Sequence, residues 1–157
     1  MTQSKFRNNQ SFNQRQNLDR RQQENTQPLP EIKFWENKKE GLVNPLLFSD
    51  IAYQCSEIIS KDTKRNKRSQ LRKFYDEILL FYDRLKVTKE SFPQFLPYIK
   101  LLRAKAYYSL GRKHINDAFK DMIEKCLNQI ETWEDFEVFK NFFEAFMGFY
   151  RYHRKDD

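Results

Sequence analysis

From Leu46 to the end of the chain, apolar side chains recur at helical spacing and at no other. Leu71, Phe74, Tyr75, Ile78, Tyr82 and Leu85 trace the i, i+3, i+4, i+7 face of one helix. No alternating polar and apolar run of the kind a half-buried strand needs is found in this region. Ile51, Cys55, Ile58 and Ile59 predict a first helix over about 47–60, and the Leu71 series a second over about 70–86. A third follows the prolines of "ESFPQFLP", which suit a first turn, and carries Phe95, Ile99, Leu102, Ala106 and Leu110 up to Gly111, a natural residue for a helix end. Ile115, Phe119, Met122, Ile123, Cys126 and Ile130 define a fourth. The fifth opens at "TWED", where Thr132 and Asp135 have capping-box spacing. Short links between such helices predict an all-α fold, a compact bundle of about five helices.

Composition separates a different N-terminal stretch. Residues 1–45 are poor in aliphatics, and "QSKFRNNQSFNQRQNLDRRQQENTQPLP" is dominated by Asn, Gln and Arg. Such a segment cannot offset its ordering entropy by burial, so residues 1 to about 30 are expected to be a disordered tail. Ile32, Phe34 and Trp35 complicate the rest: residues 31–35 are either a loosely attached leader or a docking segment for this bundle or a neighbour. Residues 46–157 form the helical domain.

The fifth helix carries two apolar stripes where one would bury it. Phe136, Phe139, Phe143, Phe146 and Tyr150 form the first, and Val138, Phe142, Ala145, Phe149 and Tyr152 the second. Either the helix is central in its own bundle, or the second stripe, with Phe142, Phe149 and Tyr152, meets another protein chain.

Charge is segregated as well as positive, with a net charge of +7 and a pI near 9.4. That balance favours anionic partners. Lys61, Lys64, Arg65, Lys67, Arg68, Arg72 and Lys73 face Asp62 alone. Lys100, Arg103, Lys105, Arg112 and Lys113 form a second basic run, whereas Asp121, Glu124, Glu131, Glu134, Asp135, Glu137 and Glu144 make the last third acidic. Cations crowded at the start of a helix oppose its dipole by a few tenths of a kcal/mol each. A phosphate would reverse that cost, because a helix N-terminus offers free N–H groups. With Ser69 as the cap, those donors belong to Gln70, Leu71 and Arg72. Lys105, Tyr108 and Arg112 follow at i, i+3, i+7 and place an aromatic ring between two cations, an arrangement that suits a nucleic-acid strand. Each patch alone reads equally as a solvated surface; the two together favour RNA.

Signals for catalysis are missing. His114, Asp117, Asp121 and Glu124 share a stripe of the fourth helix but lie opposite its apolar face. No metal-ligand motif or phosphate-cradling glycine loop is found, and there are three glycines in all. No catalytic residue, metal or cofactor is expected. Cys55 and Cys126, with two histidines, fit a reduced cytoplasmic protein better than a disulfide framework or a zinc site. There is no apolar run of the ~20 residues that a membrane span needs, nor a secretory leader.

Three segments in order, "SQLRKFYDEI", "LRAKAYYSLGR" and "FKNFFEAFMGFYRYH", resemble the small subunit of type III-A CRISPR effector (Csm) complexes. The resemblance spans about residues 46–153 and excludes the Asn/Gln-rich tail. It implies a five-helix, non-catalytic subunit, several copies of which stack along the crRNA–target RNA duplex in antiviral defence. The copies lie opposite the backbone subunits and meet the large subunit at one end. Carried onto this chain, it implies RNA contact by Ser69, Gln70, Arg72 and Arg112; Lys64, Arg65, Lys67, Arg68 and Lys105 join them on charge. The competing expectation is a basic RNA-binding bundle or protein–protein adaptor outside CRISPR.

Overall fold

The structure, a computed structural model, describes residues 27–155. Of the disordered tail expected over residues 1 to about 30, residues 1–26 lie outside them. Among the described residues the element order is a short hairpin, β1 (Trp35–Asn37) and β2 (Leu42–Val43), followed by α1 (Ala52–Ser60), α2 (Arg68–Leu85), α3 (Phe92–Lys100), α4 (Leu102–Gly111), α5 (Asp117–Leu127) and α6 (Trp133–His153). The all-α bundle expected from periodicity is the observed fold. The expected third helix comes as two segments, α3 and α4, that meet at Leu101. Pro97 lies inside α3, beyond the first turn where a proline costs nothing, and removes one donor from its ladder. A π-helical turn over Leu47–Ile51 leads into α1.

Helix α6 is the axis of the molecule, with α1 and α2 packed along it. The first apolar stripe and the start of the second face inward: Phe136, Phe139, Phe142, Phe143, Phe146 and Tyr150 are fully buried and Val138 nearly so, whereas Ala145 and Phe149 are half-buried and Tyr152 is exposed. A helix whose apolar face is this broad belongs largely in a core. Each buried phenylalanine contributes roughly 2–3 kcal/mol of transfer free energy. Successive rings touch along the helix, Phe139 on Phe143 at 6.0 Å between centroids and Phe143 on Phe146 at 5.6 Å. The capping box at its start forms as the sequence predicts: Thr132 Oγ1 accepts from Asp135 N, and Asp135 accepts from Thr132 N.

The 31–45 segment belongs to this body. Ile32 and Phe34 are buried in the same core as α6. The hairpin pairs Trp35 with Val43 and Asn37 with Leu42 in antiparallel register, and Gly41 takes the positive φ (68°) that its turn requires. Trp35 packs against the same core.

Candidate nucleic-acid interface

The basic loop between α1 and α2 is held from beneath by its one asparagine. Asn66 is buried and sits in the left-handed region at φ 57°, which Asn tolerates better than most residues. Its N–H donates to His114 O at 2.9 Å, its Oδ1 accepts from Asn116 N at 2.9 Å, and its Nδ2 donates to Ile59 O at 3.1 Å. Its own carbonyl accepts from the Tyr150 hydroxyl. Arg154 adds bonds from Nη1 to Asp62 O and Arg65 O, at 2.9 and 3.3 Å. Asp62 Oδ1 accepts from the backbone of Lys64 and Arg65. With the backbone so engaged, Lys61, Lys64 and Lys67 point into solvent and Arg65 is half-buried.

Helix α2 begins two residues earlier than a Ser69 cap requires. Lys67 is the N-cap, with no side-chain cap bond, and the N–H groups of Gln70 and Leu71 both donate to Lys67 O. Those two donors, expected to be free for phosphate, are therefore engaged in the helix. Gln70 is half-buried and its Oε1 accepts from Lys73 Nζ at 3.3 Å.

Arg68, Ser69 and Arg72 instead line one wall of an open groove of about 450 Å³ between α2 and α6. Tyr75 completes that wall, and Glu144, Met147, Gly148 and Arg151 form the other. A Cβ built on Gly148 would meet nothing within 4 Å, so the missing side chain keeps that wall low. Arg72 Nε pairs with Asp76 at 3.1 Å and Glu144 with Lys140 Nζ at 2.8 Å, both on the surface. Sequence reasoning missed Arg151. Its signal was present, because Glu144, Met147, Gly148 and Arg151 stand at i, i+3, i+4, i+7, the gap between the two apolar stripes.

The second basic run joins the first through Asn66, whose bonds to His114 and Asn116 set the end of α4 beside the start of α2. A six-to-one bond from His114 N to Ser109 O and a five-to-two bond from Lys113 N to Leu110 O close α4. Lys113, at φ 60°, takes the left-handed position there, and Gly111 remains helical. Arg112 lies 5.7 Å over the Tyr108 ring and donates to its hydroxyl at 2.9 Å; both are exposed. Lys105 is drawn into an ion pair with Glu77 of α2.

The expected protein-contact residues divide. Phe142 is fully buried against the neighbouring helices, so it cannot contact a partner chain in this fold. Phe149 is half-buried and meets the Tyr53 ring edge-on at 5.4 Å. Tyr152 is 63% exposed, with Lys155 Nζ 5.2 Å from its ring.

The stripe of His114, Asp117, Asp121 and Glu124 does not converge. Glu124 accepts from Arg103 at 2.8 Å and Tyr107 at 2.9 Å, and Asp121 pairs with Lys120. Desolvation raises the Glu124 pKa, but the bonds from Tyr107 and Arg103 outweigh it and hold that carboxyl below its ordinary value. Among the described residues, no group of three or more His, Cys, Asp and Glu side chains is disposed to hold a metal ion. Cys55 and Cys126 are buried free thiols, and burial pushes Cys55 up to about 12 despite the nearby Lys125. No helix among the described residues is long and apolar enough to cross a membrane.

No curated protein and no solved structure matches the chain. Residues 47–156, from the turn before α1 to beyond the end of α6, match the Csm2 Type III-A family. The match covers the six helices, both walls of the groove and the three segments noted in the sequence. The chain therefore belongs to the Csm2 Type III-A family, the small subunit of type III-A CRISPR Csm complexes.

Proposed function

We propose that this Csm subunit is a non-catalytic RNA-binding protein. Its copies stack along the crRNA–target RNA duplex in the cytoplasm, beside the backbone subunits and up to the large subunit, in support of antiviral defence. The observation that carries the reading is the groove, in which Arg68, Arg72 and Arg151 from two different helices come to one opening. Above it stands a loop whose backbone is internally bonded and whose lysines are solvated. Arginine suits phosphate because its planar fork gives two parallel bonds. Glu144, the one acid in the groove, is paired with Lys140. Family membership favours this reading over an adaptor outside CRISPR.

Phosphate contacts carry no base information, so the Arg68→Ala/Arg72→Ala variant should bind all RNA sequences more weakly and alike. Its log–log salt dependence on a duplex should flatten by about 1–2 units, at about 0.9 per lost phosphate contact. Fluorescence anisotropy across a salt series measures both quantities, and an unchanged slope removes the groove as the RNA site. Purified protein should neither cleave RNA nor hydrolyse nucleotides with Mg²⁺, Mn²⁺ or Zn²⁺ present. Metal-dependent turnover lost on Asp117→Asn or Asp121→Asn would overturn the non-catalytic reading.

A further inference from the structure

The large apolar side chains left on the surface fall mostly into two segments of opposite charge. Of the eleven exposed among the described residues, four lie within 42–53 and four within 98–108. Apolar residues scattered singly over a surface are ordinary, whereas grouped ones mark a contact. In the first segment Leu42, Leu46 and Phe48 stand on the turn between the hairpin and α1, and Leu46 is 50% exposed. Residues 40–60 carry Glu40, Asp50 and Glu57 and no cation. In the second segment Tyr98, Leu101, Tyr107 and Tyr108 are exposed, Tyr108 by 65%. Residues 98–113 carry five cations and no acid.

The turn is held in shape by Asn44. Its N–H donates to Phe34 O at 2.9 Å and its Nδ2 to Lys33 O at 3.0 Å, while its Oδ1 accepts from Leu46 N at 3.1 Å and its carbonyl from Leu47 N at 3.0 Å. Leu46 and Phe48 are therefore presented on backbone that is already ordered, which lowers the entropic cost of docking. Helix α4 packs on α5 and α3 and buries only Leu102 and Ala106. Leu101, Ala104, Tyr108 and Gly111 follow at i, i+3, i+7, i+10 on its exposed side, and a Cβ built on Gly111 would meet nothing within 4 Å. Arg103 and Lys105 are drawn aside to Glu124 and Glu77, and Lys100 to Leu127 O. The face is thus apolar and aromatic along its centre, with Arg112 and Lys113 exposed at its end. Such a face suits an apolar surface flanked by acids better than a phosphate strand. The turn and α1 pack on α6 instead, so the two segments occupy different parts of the body.

We propose that the α4 face of one copy receives the turn over residues 42–48 of the next, with Leu42, Leu46 and Phe48 against Leu101 and the tyrosines, and Glu40 and Asp50 toward the cations. The two surfaces differ, so the contact is heterologous and repeats from copy to copy. It supplies apolar surface that the α6 face lacks. The inference rests on the stacking reading and names the surfaces through which the copies meet; Leu42 and Leu46 precede the family match.

The test uses the full chain with two uncharged changes at exposed positions in each segment: Leu42→Gln/Leu46→Gln in the turn and Tyr98→Gln/Leu101→Gln on the α4 face. Fluorescence anisotropy on an RNA that holds one copy gives the intrinsic affinity. The same titration on an RNA long enough for several copies gives the cooperativity between neighbours. The parent chain should show at least ~5-fold cooperativity. Each variant should lose it while its affinity for the short RNA stays the same. An equimolar mixture of the two variants should recover cooperativity for pairs, because each retains the surface that the other lacks. A parent chain without cooperativity overturns the stacking reading and this inference with it. Variants as cooperative as the parent overturn the two surfaces and leave stacking intact. A mixture that recovers nothing means that the surfaces do not meet each other, and an α4 variant weakened on the short RNA assigns that face to RNA; either overturns the proposal.

Discussion

At the scale of single residues, Asn66 matters more than the cations around it. Its amide joins α1, the basic loop and the turn before α5, and its backbone needs a positive φ. Asn66→Ala strands a buried N–H and a buried carbonyl, at about 1–3 kcal/mol each, so a loss of about 2–6 kcal/mol is expected. Asn66→Gly loses the same bonds but adopts the left-handed backbone freely, and should be about 1 kcal/mol less harmful. Urea denaturation of the two variants compares them directly; equal losses would mean that backbone strain plays no part. Arg151 is the residue to test next. Arg151→Ala leaves the core intact, because the side chain is exposed, and should weaken RNA binding with no change in stability. Anisotropy paired with thermal melting separates the two effects.

At the scale of elements, the N-terminal strap over residues 29–44 and α6 share one carboxylate. Asp135 is fully buried, which by itself raises its pKa. Bonds from Lys38, Trp35 and the backbone of Glu131 and Thr132 outweigh burial and hold it below the ordinary aspartate value. The sign follows from linkage: the unfolded chain binds the proton more readily, so this stabilisation is complete above the unfolded pKa near 4 and is lost as pH falls through the lower folded value. Asp135→Asn should therefore cost about 1.5–3 kcal/mol at pH 7, as for hydrogen bonds to a charged group. The gap from the parent chain should narrow below about pH 4. Denaturation at a series of pH values tests this, and a gap that stays constant into acid would mean that the charge contributes nothing. Phe34→Ala should cost about 3–5 kcal/mol as a core truncation, measured by the same unfolding experiment. A change within ±0.5 kcal/mol, as for a surface position, would mean that the strap is not part of the cooperative unit.

At the scale of the whole molecule, self-association through the predicted face of α6 would rest on charge more than on apolar surface. Phe142 is buried and Phe149 is largely covered, which leaves Tyr152 as the exposed member of that predicted interface. Surface ion pairs contribute only ~0–1 kcal/mol each, so copies should associate weakly in free solution through the basic middle of one and the acidic end of the next. RNA long enough for several copies raises their effective concentration and should turn a mostly monomeric population into short, salt-sensitive stacks. Sedimentation velocity with and without such RNA reads this out. One-at-a-time binding without stacking would leave an RNA-binding bundle that does not form a filament.

Helix-forming patterns are local, which is why the bundle, the Thr132–Asp135 capping box and the phenylalanine-rich final helix were legible in the sequence. Each depends on residues three or four positions apart, and periodicity records those neighbours directly. The clustering of cations near the start of α2 was legible for the same reason, and the family resemblance rested on equally local segments. What tertiary structure decided lies between elements. Two stripes on α6 are compatible with a central helix or with a partner chain, and only the packing of α1 and α2 around it covers Phe142. Trp35 and Lys38 stand about 100 residues from Asp135, so the strap's docking leaves no trace in spacing. The cap of α2 moved to Lys67 because the loop is fitted to the carbonyl of His114 and the amide of Asn116, contacts that override the local preference for serine. Arg151 joined Arg68 and Arg72 because α6 packs along α2, with the Tyr150 hydroxyl bonded to the loop carbonyl of Asn66 84 positions away, a proximity that sequence order does not encode.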